Sequence, residues 1–391
     1  MTTLGRLFGE GFRVFFLAAG LWAFLAMGLW MLWLFGSFDL PTAAPPSYWH
    51  AHEMIFGYGA AALGGFFLTA VPNWTGAKAA RHVFIGAAAG IWLAGRYAVF
   101  WSGALPAPLV ALVDLAFLPV LGAKIATQLI RRPKPQNMMF LGLLAILFAA
   151  NLAVHLEWLG LAADTAIRGL YAGLYGLVAM IAVLGGRITP AFTRNAMTRA
   201  GLEFGLPRSF ARLDGIGIAA AIALPLATLA ALPAPVTGAI ALVAGTAQIA
   251  RLAFWKGGFA ASQPILWSLH LSFGLIGVGL ILTGLAAFGI GSSVGALHFT
   301  AIGGVSGMIL AVMTRATLGH TGRPLVAPAP VVFAYALLPL AAMLRWAAST
   351  VPAVTTPATL GAGLIWLLAF GIYLFVFWPV FWGPRQTQSA E

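Results

Sequence analysis

The chain has 391 residues and a net charge of +12, yet only 8% of its residues are charged. A soluble domain carries about 25% charged residues, so the composition excludes one large soluble globule. A membrane-spanning helix needs ~20 apolar residues, so twelve of them would use ~240 residues and leave ~150 for loops and ends. We therefore predict an all-α, polytopic membrane bundle that forms a single transmembrane domain over residues 1–391.

Twelve apolar runs, separated by turns rich in Pro and Gly, define the predicted spans. They lie at 12–35, 49–72, 83–101, 105–130, 138–157, 166–190, 213–231, 236–255, 263–288, 295–317, 326–347 and 358–382. With the N-terminus inside, all but three of the 21 Lys and Arg residues lie at inner ends or loops; the exceptions are Arg96, Arg168 and Arg345. This positive-inside bias places both termini in the cytoplasm. The same bias explains the net positive charge, so we expect no nucleic acid partner. Membrane lipid is the expected surrounding of the bundle.

A faint internal similarity relates span 2 to span 10. The residues that follow His52 and His298 match at equal offsets, namely Gly57 with Gly303, Ala70 with Ala316, and Thr75-Gly76 with Thr321-Gly322. Both spans run from outside to inside, so a weak parallel duplication is one interpretation. Chance is the other, because 47 residues are Gly.

Cysteine is absent, and this limits the cofactors that the chain can hold. Disulfides, iron–sulfur clusters, thiolate metal sites and covalently attached haem all require Cys. A metal ion must therefore be held by His, Met, carboxylate or backbone oxygen, and a His-ligated haem must be non-covalent haem b.

Four of the seven His residues lie at the predicted outer face: His50 and His52 open span 2, His155 closes span 5 and His298 opens span 10. One His in a membrane helix commonly bonds to a neighbouring helix. Four from three distant spans favour a metal or haem site, because imidazole is a common metal ligand and ionisable residues in membranes are costly. His50 and His52 point ~200° apart in a regular helix, so either the first turn is irregular or they have different partners. Glu53 shares a face with His50 and is the candidate proton donor and catalytic residue.

A second group lies at the predicted inner face and contains His270 and His320. His298 and His320 are about 33 Å apart along one helix, so they belong to separate sites. Four Arg residues are candidates for contacting haem propionates or another anionic group, with simple topological anchoring as the alternative: Arg187 and Arg315 inside, and Arg96 and Arg345 outside.

Three further features stand out within the apolar runs. Asp114 lies in the middle of span 4 and could relay protons or bind a cation. Asn151 and His155 are four residues apart and share a helix face. Gly185-Gly186-Arg187, followed by Thr189-Pro190, is expected to end span 6.

Several motifs carry a family resemblance. They are His50-Ala51-His52-Glu53-Met54, Leu68-Thr69-Ala70-Val71-Pro72-Asn73-Trp74-Thr75-Gly76, Gly185-Gly186-Arg187 with Pro190-Ala191-Phe192-Thr193, and Leu297-His298 leading to Val312-Met313-Thr314-Arg315-Ala316 and Leu318-Gly319-His320-Thr321-Gly322-Arg323-Pro324. With these motifs the chain resembles the NnrS family over essentially its full length. The resemblance implies a twelve-helix haem- and copper-containing protein of the bacterial inner membrane, tied to nitric oxide and denitrification. His50, His52, His155, His270, His298 and His320 stand at positions that look like the family's pattern, with their division between haem and copper left open.

The resemblance implies a protein that binds nitric oxide and relieves the stress it causes. Reduction of nitric oxide to nitrous oxide would make the chain an oxidoreductase of the nitric oxide reductase type, supplied by an unidentified electron donor; binding or sensing the gas is the other outcome. Two further classes stay open. One is a twelve-helix secondary transporter of a small solute, and the other is a protein that moves haem or copper as cargo.

Overall fold

The computed structural model describes residues 2–36 and 38–386. Within these ranges the chain is helical without a strand, and twelve segments are long and apolar enough to cross a membrane. We label them in chain order as α1 (Gly11–Leu34), α2 (Pro46–Thr75), α3 (Val83–Phe100), α4 (Ala107–Leu129), α5 (Pro135–Trp158), α6 (Thr165–Arg199), α7 (Ala211–Leu229), α8 (Ala234–Ala253), α9 (Pro264–Ala287), α10 (Ser293–His320), α11 (Ala329–Thr350) and α12 (Pro352–Trp382).

The predicted all-α bundle of twelve spans is confirmed, and most span ends agree within three residues. The expectation that Thr189-Pro190 ends span 6 is wrong, because α6 continues through Pro190 to Arg199. Proline is tolerated inside membrane helices where other groups satisfy the freed backbone. The missing N–H of Pro190 removes only the bond to the Gly186 carbonyl, and the helix continues through this position. The cytoplasmic placement of the termini stays a prediction.

The chain divides into two compact units. Of the described residues, the first unit takes those up to Gly173, Ala316–Pro324 and residues 370–386. It contains α1 to α5, in which α2 packs against α1 and α4, α3 packs against α4, and α4 packs against α5. Close approach of α1 and α2 requires Gly65, where a Cβ would lie 2.5 Å from the Phe16 ring. This unit positions most of the polar side chains discussed below.

The second unit comprises Leu174–Arg315 and Leu325–Ala369. It contains α7, α8, α9 and α11 with most of α6 and the first part of α10. Helix α8 lies against α7 and α9, and α10 packs between α9 and α11. The single domain predicted over residues 1–391 stays a prediction.

Two spans contain a π-helical segment at the same place in their sequence. In α2 the π-segment is Glu53–Gly59 and follows His52 directly, while in α10 it is Phe299–Ser306 and follows His298 directly. Such wide turns are rare and occur frequently at functional sites. The shared feature supports a duplication of α2 and α10, which we retain as a prediction.

Candidate metal centre

Helices α2 to α5 bring six polar side chains of the first unit together. Each is buried, although a membrane interior normally excludes such groups. They are His52 and Glu53 of α2, Arg96 of α3, Asp114 of α4, and Asn151 and His155 of α5. We call these six residues the α2–α5 cluster.

The local structure of each helix places these side chains. Asn151 and His155 are four residues apart on α5, so both project from the same face. Asp114 lies one residue before the end of the first segment of α4, Ala107–Leu115. At the facing position on α3, Gly95 allows close approach, since a Cβ there would lie 3.2 Å from the Asp114 Cα.

Asp114 is the centre of the cluster. Its Oδ2 atom accepts hydrogen bonds from Asn151 Nδ2 at 2.8 Å and His155 Nε2 at 2.8 Å. The same oxygen lies 3.2 Å from His52 Nε2, which also lies 2.9 Å from Asn151 Oδ1. The other oxygen, Oδ1, accepts from Arg96 Nη2. Both oxygens of this carboxylate are therefore engaged by neighbouring helices.

Glu53 forms the second acidic position. Its Oε1 atom lies 3.0 Å from His52 Nδ1 and accepts from Arg96 Nη1 at 2.7 Å. Its Oε2 atom accepts from Trp22 Nε1 of α1 at 2.7 Å. Glu53 therefore contacts His52 and Arg96, whereas the sequence had suggested His50 as its neighbour on the helix face.

The charges of the cluster call for a further cation. Glu53 and Asp114 supply two negative charges and Arg96 supplies one positive charge, so one negative charge is left. An unbalanced buried charge is costly. His52 has carboxylate oxygens at both ring nitrogens, and a second proton on its ring would balance the cluster. A monovalent metal ion beside the His52 ring would balance the cluster in the same way, and a divalent ion would change its net charge from −1 to +1.

The donor set suits such an ion. Single ligand atoms of His52, Asp114 and His155 all lie within 4.8 Å of one another. A tetrahedral ion with ligands at about 2.1 Å would hold them ~3.4 Å apart. The two His–Asp114 separations, 3.2 and 2.8 Å, would have to open slightly to admit it. Imidazole with carboxylate, without thiolate, suits copper(II) or zinc. Asn151 Oδ1, at 2.9 Å from His52 Nε2, is a nearby fourth oxygen.

An aromatic wall closes the site beside the two imidazoles. The Trp158 ring centroid lies 5.2 Å from the His52 ring and 5.2 Å from the His155 ring. Trp158 Nε1 is buried and has no acceptor in the part of the chain that the structure describes. It is therefore a hydrogen-bond donor available to a small ligand at the two His residues.

His50 does not join this group. Its ring stacks on Trp30 of α1 with centroids 4.5 Å apart, while His52 turns toward Asp114. The spacing of His50 and His52 predicted either an irregular first turn or different partners for the two residues. The structure shows different partners.

The remaining predicted site residues have other surroundings. His298, in the second unit, hydrogen-bonds through Nδ1 to the Val294 carbonyl at 2.8 Å. His270 Nε2 lies 2.9 Å from Thr193 Oγ1 in the same unit. In the first unit the His320 ring packs against Phe12 at 5.5 Å. Their ligand roles stay predictions.

The predicted Arg candidates also differ in surroundings. Arg96 belongs to the α2–α5 cluster. Arg345 donates to Ser349 Oγ at 2.5 Å, Arg187 is exposed, and Arg315 packs on an aromatic ring. Their roles toward an anionic group stay predictions.

Sequence reasoning did not single out Trp22. No pattern distinguishes it from the other 13 Trp residues. Asp114 did carry a signal, because it is an acid in the middle of an apolar span, but its partners on α3 and α5 depend on packing that the sequence does not reveal.

Comparison with known proteins gives one match. The chain matches the family described as NnrS protein over residues 6–385. No curated protein matches it.

Proposed function

The chain belongs to the NnrS family, and from this premise we propose that it binds nitric oxide and detoxifies it by reduction to nitrous oxide. Membership of this family indicates a haem- and copper-related membrane protein linked to nitric oxide. The observation that carries the proposal is the convergence of His52, Asp114 and His155 from three spans, buried and within 4.8 Å. We assign copper to this group, and the bacterial inner membrane as its location.

The geometry of the α2–α5 cluster suits a single ion better than a haem. The His52 and His155 Nε2 atoms face the same Asp114 oxygen at 3.2 and 2.8 Å. That separation leaves no space for a porphyrin plane between an imidazole and the carboxylate. A copper ion requires only that these ligand atoms move apart by a few tenths of an ångström, to the ~3.4 Å of a tetrahedral site.

His298 has the features expected of an axial haem ligand. Its Nδ1 bonds to the Val294 carbonyl, and this contact fixes the ring orientation and leaves Nε2 as the ligating atom. Ligating His residues commonly use a backbone carbonyl in this way. Arg345 lies within electrostatic reach of His298 and would suit a haem propionate. We therefore assign non-covalent haem b to His298.

Reduction of two nitric oxide molecules takes two electrons and two protons and gives one nitrous oxide and one water. Bound haem iron and copper would supply the one-electron redox changes, fed by an external electron donor. The protein's own part is to hold and move protons. His52 connects Glu53 Oε1 to Asp114 Oδ2 through its two ring nitrogens, at 3.0 and 3.2 Å. With His52 ligating through Nε2, Glu53 would hold the ring proton at Nδ1 and so orient the imidazole toward the ion, as a carboxylate does behind a ligating His.

The test combines metal analysis with turnover. Detergent-purified protein should show a haem absorption spectrum and bound copper, and the reduced protein under anaerobic conditions should convert nitric oxide to nitrous oxide catalytically. His298→Ala should lose the haem spectrum, and His155→Ala should lose copper while it retains haem. A colourless and metal-free preparation would contradict the proposal and favour a transporter. Labile, substoichiometric metal would favour a protein that moves haem or copper as cargo.

A further inference from the structure

The last residues of α12 are surrounded by arginines from two distant parts of the first unit. Arg13 Nη1 donates to the Gly383 carbonyl at 2.9 Å, and Arg6 Nη1 donates to the Trp382 carbonyl at 3.4 Å. Arg323, which follows α10, lies against the same residues, since its Nη2 atom is 3.9 Å from the place that a Cβ on Gly383 would take. Three guanidinium groups therefore lie around one helix end.

The charges at this helix end are mostly positive. Glu10 pairs with Arg13, its Oε2 atom lying 2.9 Å from Arg13 Nε. Arg6 and Arg323 form no ion pair with any residue that the structure describes. Three arginines and one glutamate leave an excess of two positive charges. The carbonyl end of a helix carries only about half a negative charge, which offsets a part of this excess.

Two N–H donors at this place have no partner. Arg323 Nη1 and Trp382 Nε1 are both buried, and neither makes a hydrogen bond within the described ranges of the chain. Arg13, at the same helix end, shows the opposite state, because its nitrogens are taken by Glu10 and by carbonyls of α12. Guanidinium and indole groups are donors only, so the atom that satisfies them must be an acceptor. With the positive charge around them, a negatively charged oxygen fits best.

An apolar groove adjoins these donors on the outer surface of α12. It has a volume of about 630 Å³ and is lined by Leu374, Phe375, Val376, Trp378 and Pro379. The side chains of Phe375 and Trp378 are 82% and 47% exposed. The Trp378 ring centroid lies 5.8 Å from that of Trp382, so the groove reaches the helix end where the donors lie. A molecule that fits both places has an anionic head and an apolar tail.

We propose that the end of α12 is a binding site for an anionic phospholipid, with its phosphate at Arg323 and Trp382 and an acyl chain along Phe375 and Trp378. A planar guanidinium matches two phosphate oxygens through parallel hydrogen bonds. Basic pockets at the cytoplasmic side of membrane helices bind anionic headgroups in this way, and the sequence predicts this end of α12 to be cytoplasmic. A free phosphate ion would use the donors and leave the groove unused. The site depends on neither the copper nor the haem assignment.

The experiment measures binding of dioleoylphosphatidylglycerol and dioleoylphosphatidylcholine to the full-length purified protein by native mass spectrometry. The wild type should prefer phosphatidylglycerol about fivefold or more, because arginine near the headgroup attracts its net negative charge. Arg323→Gln should weaken phosphatidylglycerol affinity about tenfold to hundredfold, since charge-assisted hydrogen bonds are lost. Trp382→Phe keeps the aromatic ring and loses one neutral donor, so the affinity should fall about twofold to tenfold. Arg131→Gln, at an exposed arginine of the same unit, is the matched control and should bind as the wild type does.

The other occupants give different results. Equal phosphatidylglycerol affinities in Arg323→Gln, Trp382→Phe and Arg131→Gln would overturn the proposal. Saturable binding of inorganic phosphate by the wild type, without a preference between the two lipids, would overturn it in favour of a free anion. Loss of haem in Arg323→Gln with unchanged phosphatidylglycerol affinity would overturn it in favour of a haem carboxylate. If Arg323→Gln does not fold, the comparison of Trp382→Phe with Arg131→Gln decides in the same way.

Discussion

Replacing Asn151 with Leu gives the sharpest test of how the α2–α5 cluster is held together. The substitution nearly preserves side-chain size and removes two contacts, the hydrogen bond from Nδ2 to Asp114 at 2.8 Å and the contact of Oδ1 with His52 at 2.9 Å. Side-chain hydrogen bonds inside membranes contribute about 0.6 kcal/mol on average and about 1.7 at most. Two of them therefore set a range of about 1–3 kcal/mol.

The remaining contacts decide where in this range the loss falls. Asp114 keeps its bonds from Arg96 and His155, and His52 keeps Asp114 at 3.2 Å. Neither former partner of Asn151 is left alone, so we expect a loss of about 1–2 kcal/mol in the free energy of unfolding. Copper affinity should fall about tenfold to hundredfold, as is typical when a supporting contact of a metal ligand is removed.

The assay is unfolding by sodium dodecyl sulfate in mixed micelles, together with copper titration of the same preparations. The matched control is Asn73→Leu, an exposed asparagine of α2 whose amide donates to the Thr69 carbonyl. If Asn151→Leu and Asn73→Leu have equal unfolding free energies and equal copper affinities, the cluster does not act as a connected unit and the reasoning is refuted.

Three further predictions concern the same region. Gly57→Ala should destabilise the protein by about 1–3 kcal/mol, because its Cβ would lie 2.4 Å from Trp22 Nε1. The control Gly90→Ala should not destabilise it, because a Cβ at Gly90 would have nothing within 4 Å. Equal melting temperatures of the two variants would contradict this prediction. His52→Ala should abolish copper binding and His50→Ala should retain it, as metal analysis of both variants will show, and equal copper loss would place the ion elsewhere. Removing copper with a chelator should lower the melting temperature, since a ligand at a hundred times its Kd stabilises the folded state by about 2.7 kcal/mol; an unchanged melting temperature would argue against a bound ion.

The topology could be predicted from sequence because burial in lipid imposes a simple rule on every span. Each helix needs about 20 apolar residues, so the runs themselves mark the helices. The end of α6 could not be predicted in this way. Pro190 is a turn signal by local chemistry, yet α6 continues through it, because neighbouring helices in a bundle allow a membrane helix to tolerate proline.

The sequence predicted which kinds of polar residue belong to the candidate site, but not which of them contact one another. Charged and imidazole side chains in apolar runs marked His52, Glu53, His155 and Arg96, because membranes exclude such groups unless they are paired. The sequence did not reveal that Asp114 contacts three of them, His52, His155 and Arg96. That depends on the rotation of α3, α4 and α5 about their axes, which the uniformly apolar spans do not encode.

The wide turn after His52 has a mechanical consequence for α2. Each residue of an ordinary helix advances the chain by 100° around the axis, so one additional residue in a turn rotates everything beyond it by about that angle. Deleting one residue from Glu53–Gly59 would restore regular α-helical winding. With the glycine face of α2 still against α1, the His52 imidazole would then rotate away from Asp114. The π-helical segment therefore lets one continuous helix direct His52 toward Asp114 and its glycine face toward α1, which regular α-helical winding could not do at the same time.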